Sequence, residues 1–254
     1  MKLKDIRYGP AASRDAEQGY ESLKYEIYEW VSAICVKLLL YTKITPNQVT
    51  IVGTLFPFLA AILFGFGSFE LSILGILCLY LGELMDAIDG TLARCKKACS
   101  RLQSNFLGNL YHSSAYPILF LGIGFGVFLN TNNPLYLLLG ALAALFQEGA
   151  ATLRFLKNTV MYKNSKMLSK DLLVQSDEKE LFQAKGKKGI IMNLFSAPMK
   201  HLRLTIIFVV FMEYFFPLGW IKLFIIFYGI FIPLKYVGFA STIYKSFKRI
   251  ESKK

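Results

Sequence analysis

From about residue 45 onward, apolar runs of membrane-spanning length alternate with short polar turns. The runs cover residues 48–66, 71–92, 106–129, 134–155, 203–217 and 219–242, and the fifth is the shortest. A helix needs about 20 apolar residues to cross the hydrocarbon of a bilayer. The pattern before residue 45 is different. Tyr20, Leu23, Ile27, Trp30, Ile34 and Leu38 recur at three- and four-residue steps between Ser13 and Tyr41, while acids and lysines occupy much of the other side. This spacing predicts an amphipathic helix lying on the membrane surface, with Ser13 as its N-cap, Gly9-Pro10 as the break before it, and Trp30 and several tyrosines at the interface. Thr45 and Pro46 then end one helix and start the next, a cap followed by a proline in the first turn. The predicted fold is therefore an all-α integral membrane protein. Six transmembrane helices (45–254, with a cytoplasmic loop at about 157–202) follow an N-terminal segment (1–44) that carries the surface helix.

Charge orients this arrangement. Hydrophobic residues make up 54% of the 254, and the formal net charge is +12. The turns Gly65–Glu70, Asn130–Pro134 and Phe216–Gly219 contain no Lys or Arg, whereas Lys43, Arg94, Lys96, Lys97, Arg101, the 157–203 loop and residues 245–254 are basic. Basic loops stay in the cytoplasm, so both termini are expected there. The positive excess suits anionic headgroups, and no nucleic-acid-binding motif accompanies it. The same reading applies to Lys185-Gly-Lys-Lys188-Gly, a solvated loop facing lipid. The cysteines Cys35, Cys78, Cys95 and Cys99 form no CxxC pair and read as free thiols. The N-terminus is polar with both charge signs, unlike a cleavable signal peptide. Compact size without organelle targeting fits a prokaryotic plasma membrane.

One polar stretch departs from the apolar background. Asp86, Asp89, Gly90 and Ala93 fall at i, i+3, i+4 and i+7, one face at the cytoplasmic end of the second run. Acids at such a place are costly to bury and signal function. Two carboxylates supply the hard oxygens that divalent cations prefer, and the small residues beside them keep that face low. Arg94 can pair with a phosphate oxygen or with one of these acids.

The stretch resembles the signature of the CDP-alcohol phosphotransferases, D-x-x-D-G-x-x-A-R, a spacer, then G-x-x-x-D-x-x-x-D. Asp86, Asp89, Gly90, Ala93 and Arg94 match the first half without a gap. The second half departs: anchored on Phe106, Leu107 and Leu110, the family glycine falls on Ser104, the third aspartate on Gly108 and the fourth on His112. Thr45-Pro-Asn47-Gln-Val-Thr50 is also similar to the family's PN-x-x-T opening, whose asparagine lies near the nucleotide. The alternative for Asn47 is a simple capping role.

The resemblance implies an enzyme that uses Mg²⁺ or Mn²⁺ held by Asp86 and Asp89. Its donor is a CDP-linked alcohol or CDP-diacylglycerol, its acceptor a lipid or small alcohol, and CMP leaves. It also implies a homodimer in a membrane. Asn47, Gly90, Ala93, Arg94, Ser104 and Gly108 line the nucleotide site on this reading. Gly108 cannot be a ligand. His112 lies on the face of the family's acids and is a better base near neutral pH than an exposed aspartate; the alternative is a histidine satisfied at the interface. Asn109 points about 100° away. Glu148, in the fourth run, can replace the missing acid or pair with Arg154, and Glu83 is a further ligand or a buried partner of a base. Arg154, Lys157, Lys163 and Lys166 can meet a phosphate or anchor the chain in headgroups. The competing readings are a catalytically silent relative that still binds the nucleotide, and a transporter, for which no broken pair of spans or inverted repeat speaks.

Overall fold

A computed structural model describes residues 6, 23–96, 101–163 and 202–251 of the chain, and all its regular elements are helices. They are α1 (Leu23–Leu39), α2 (Pro46–Gly65), α3 (Phe69–Lys96), α4 (Arg101–Thr131), α5 (Pro134–Lys163), α6 (Leu202–Phe215) and α7 (Trp220–Glu251). The chain forms two compact units, residues 1–119 and 120–254, and the division falls inside α4.

Five described helices are long and apolar enough to cross a membrane: Pro46–Gly65, Phe69–Lys96, Ser113–Thr131, Pro134–Lys157 and Trp220–Lys245. The expected fifth run appears as α6, which has 14 residues. At about 1.5 Å per residue that is about 21 Å, short of the hydrocarbon thickness of about 30 Å. The expected cytoplasmic loop also begins later than its sequence suggests, because α5 continues to Lys163.

In the first unit α2 and α3 form an antiparallel pair. Thr45 caps α2 by accepting from the Gln48 amide at 3.3 Å, and the Gln48 side chain accepts from the Thr45 amide at 2.8 Å. This capping box, with Pro46 just inside it, satisfies two amides that the helix itself cannot. The pair is tightest at Gly53, where a Cβ would lie 2.9 Å from Met85 Cβ, and it closes again where Gly75 meets the Phe64 ring.

The described part of the N-terminal helix, α1, lies lengthwise beside the second half of α3 and runs in the same direction. Tyr28 sits by Tyr80, with ring centroids 6.4 Å apart, and Lys96 Nζ donates to the Thr42 and Ile44 carbonyls at 2.8 Å each. Ala33 and Val36 enter a core with Ile6, Val49, Ile88 and Leu92. The stripe of Trp30, Ile34 and Leu38 is exposed instead, as is Tyr41. Residues 13–22, the rest of the expected surface helix, lie outside the described residues.

In the second unit α4 and α5 are antiparallel and touch backbone to backbone. A Cβ at Gly140 would fall 2.7 Å from the Phe120 carbonyl and 3.0 Å from Gly124 Cα. Asn132, with φ of 52°, turns the chain between them. Gly140→Leu should destabilise the protein by about 3 kcal/mol or more, since it forces two main chains apart. The check is the thermal midpoint in detergent beside Gly238→Leu, whose side chain would enter open space among the described residues.

Helices α5 and α7 also pack together, and they run in the same direction. Leu139 lies against Gly229, Phe146 packs on Tyr236 at 5.2 Å, and Gly149 meets the same Tyr236 ring. Helix α6 pairs with α7 in the opposite sense. Phe208 packs on Trp220 at 6.2 Å, and Glu213 accepts from the Ile221 amide at 3.2 Å, capping the start of α7.

Candidate active site

The site residues of the first unit gather at the end of α3. This helix has 28 residues, about 42 Å at about 1.5 Å per residue, against about 30 Å of hydrocarbon. The helix is thus longer than the layer, and Asp86, Asp89, Gly90, Ala93 and Arg94 occupy its last turns. Asp86, Asp89 and Gly90 are half-buried, and Arg94 is exposed. Ile88 and Leu92, on the opposite side of the same turns, are buried in the core that also receives Ile6, Ala33 and Val36. One face of the helix end is thus fixed by packing while the acid-bearing face stays accessible.

The antiparallel crossing at Gly53 determines which residue of α2 meets the acids. One turn below Gly53 is Thr50, and one turn beyond Met85 is Asp89. The Thr50 hydroxyl lies 2.5 Å from Asp89 Oδ2 and 3.2 Å from the Pro46 carbonyl. The Arg94 side chain folds back along its own helix: Nη2 donates to Thr91 Oγ1 at 3.0 Å, and Nη1 lies 3.6 Å from where a Gly90 Cβ would be. Apart from that guanidinium and its own helix, nothing described comes within 4 Å of the Gly90 position. The result is a low surface flanked by two carboxylates and overhung by a cationic fork. An anionic ligand with a divalent cation suits such a surface.

The donor set fits a single hard cation. Mg²⁺ commonly takes one or two protein carboxylates and completes its shell with water and substrate phosphate, without a full protein cage. Asp86 and Asp89 meet that requirement. Among the described residues no group of three or more His, Cys, Asp or Glu forms a larger cation site.

The remaining expected residues fall as follows. Asn47 is half-buried in the first turn of α2, where Thr45 rather than Asn47 makes the cap. Gly108 is within α4, and a Cβ there would meet nothing described within 4 Å, so packing does not demand a glycine. Ser104 and His112 also belong to α4, but their side chains lie outside the described residues. So do the side chains of Arg154 and Lys163, and Lys166 altogether. Glu148 is exposed on α5, in the second unit, and Lys157 is buried there. Sequence reasoning gave Thr50 no role. The signal was present, since PN-x-x-T names it, but its partnership with Asp89 depends on the crossing at Gly53.

Fold and site together define a helical integral membrane protein with an acidic, cation-capable face at the end of one span. The family whose model matches residues 43–168, about half of the chain, is the CDP-alcohol phosphatidyltransferases, and the chain belongs to it. The match runs through the capping box, the α2–α3 pair and the acidic face. Membership points to transfer of a substituted phosphate group from a CDP-linked alcohol. A comparison with curated proteins finds no match.

Proposed function

We propose that this chain is a divalent-metal-dependent CDP-alcohol phosphotransferase of lipid headgroup synthesis. It moves a phospho-alcohol or phosphatidyl group from a CDP-linked donor to a hydroxyl acceptor, and CMP leaves. The observation that carries the proposal is the uninterrupted D-x-x-D-G-x-x-A-R face at the end of α3, half-buried at its acids and small residues and exposed at Arg94. Asp86 and Asp89 would hold one Mg²⁺ or Mn²⁺. When bound, such an ion supplies charge neutralisation for the pyrophosphate and polarises its phosphorus–oxygen bonds.

The chain's own residues do the rest. Gly90 and Ala93 let the nucleotide approach the helix, with Asn47, Ser104 and Gly108 as further lining. Arg94 orients a phosphate oxygen by charge-assisted hydrogen bonds. His112 accepts the proton of the acceptor hydroxyl as its oxygen attacks the phosphorus and the bond to the CMP oxygen breaks. Gly108 supplies no donor. Glu148 is our candidate for an additional carboxylate.

We read six spans, with both termini and the site in the cytoplasm. Supporting this, α5 and α7 pack in the same direction. Two spans that run the same way need a third crossing between them. Helix α6, antiparallel to α7, is the one described helix in that interval. Trp30, Ile34 and Leu38 of the first helix, and Tyr41 just after it, would face headgroups, and a homodimer is expected.

One observation favours a second reading, a silent relative that binds nucleotide without turnover: nothing at Gly108 replaces a carboxylate. Thermal stabilisation of the purified protein by CDP separates these from a non-nucleotide role. With Mg²⁺ or Mn²⁺, CDP at a hundred times its dissociation constant should add about 2.7 kcal/mol, and chelation should remove it. Absence of any shift defeats both readings. A shift without CMP release from any CDP-alcohol selects the silent one.

A further inference from the structure

We propose that Thr50 is a positioning residue that holds the Asp89 carboxylate in the orientation a divalent cation requires. The inference rests on the reading of Asp86 and Asp89 as the cation-binding pair.

The argument begins with what a threonine does inside a helix. Its hydroxyl commonly bonds back to the carbonyl four residues earlier. Thr54, Thr91, Thr131, Thr159 and Thr242 all do so here, at 2.7 to 3.0 Å. The corresponding contact of Thr50 is longer, 3.2 Å to the Pro46 carbonyl, and its closest partner is Asp89 Oδ2 at 2.5 Å, 39 residues away. A hydroxyl has one proton, and the distances assign it to the carboxylate.

Thr50 is well placed for this role. It is buried, at 9% exposure, so water competes little for the bond. Its backbone sits in the second turn of a helix fixed by the Thr45–Gln48 capping box. About two turns beyond Asp89, Lys96 ties the segment before α2 to the end of α3 through the Thr42 and Ile44 carbonyls. The two helices therefore meet Asp89 as a rigid frame. With Oδ2 held by Thr50, the orientation of the carboxylate is fixed, and it keeps lone pairs for a cation. Partners that orient a metal ligand in this way typically affect affinity about 10- to 100-fold.

The test titrates Mn²⁺ at saturating CDP on the full-length protein in detergent and reads thermal stabilisation. Thr50→Val keeps the shape and removes the hydroxyl; Thr50→Ser keeps the hydroxyl. Thr50→Val should raise the half-saturating Mn²⁺ concentration about 10- to 100-fold, and Thr50→Ser should restore it to near the wild-type value. Thr50→Ala stands in if Thr50→Val does not fold. An unchanged Mn²⁺ midpoint in the hydroxyl-free variant overturns the proposal while leaving the site reading intact. Equal losses in Thr50→Val and Thr50→Ser assign the effect to packing, which also overturns it. A wild-type protein that shows no Mn²⁺ dependence defeats the site reading, and the positioning role falls with it.

Discussion

Asp89→Asn should lower CMP release about 1,000-fold and remove metal-dependent stabilisation by CDP, while the ligand-free protein melts no lower than wild type. The first part follows from the donor set. Asparagine is nearly isosteric with aspartate but carries no charge, and a hard cation held by only two carboxylates depends strongly on each. A loss of about 4 kcal/mol of charge stabilisation at the transferring group corresponds to about a thousandfold in rate. The second part follows from the contacts. The amide side chain of the variant retains a carbonyl oxygen that can accept from Thr50, so the α2–α3 crossing at Gly53 is preserved. Two half-buried carboxylates on adjacent turns also repel each other when no cation separates them, so removing one charge relieves the ligand-free state. Ordinary turnover in this variant would remove the cation role from Asp89. A lower melting point together with lost turnover would instead make Asp89 a structural partner of Thr50.

This prediction draws on both what the sequence displays and what it hides. The start of α2 was legible because capping is local: Thr45, Pro46 and Gln48 are within four residues of one another. The turns at Gly65–Glu70, Asn130–Pro134 and Phe216–Gly219 were legible for the same reason, and each separates described helices close to the expected residues. The acidic face of α3 needed only helical periodicity. Partners chosen by tertiary packing were not legible. The Thr50–Asp89 bond depends on where α2 and α3 cross, and that is decided by Gly53 accommodating Met85. The placement of α1 is similar. Its apolar stripe through Trp30, Ile34 and Leu38 was expected to lie against the membrane and is exposed, but the sequence did not show that the smaller Ala33 and Val36 enter a core beside Ile88 and Leu92, where a close helix contact favours small side chains. In a membrane protein an apolar stripe has two possible neighbours, lipid and protein, and periodicity alone does not choose between them.

The same limit applies to the second half of the signature, where the acids are missing, and there His112 gives the sharpest test. His112→Ala should reduce turnover about 100- to 10,000-fold, the usual contribution of a positioned general base, with little change in the CDP concentration needed for half-maximal thermal stabilisation. A base acts on the acceptor hydroxyl during the transfer, so its removal leaves donor binding intact; a metal ligand at the same place would lose both together. His112→Asp separates the two roles further. Gly108 and His112 are four residues apart on α4, the spacing of the family's last two aspartates, and the Gly108 position is open among the described residues. The His112→Asp change therefore returns a carboxylate to the position of the family's fourth aspartate. If His112 is the base, His112→Asp should recover part of the turnover that His112→Ala loses, because a carboxylate can also take the hydroxyl proton. If His112 serves only to satisfy the interface, neither variant should alter turnover, and the proton acceptor must be sought elsewhere.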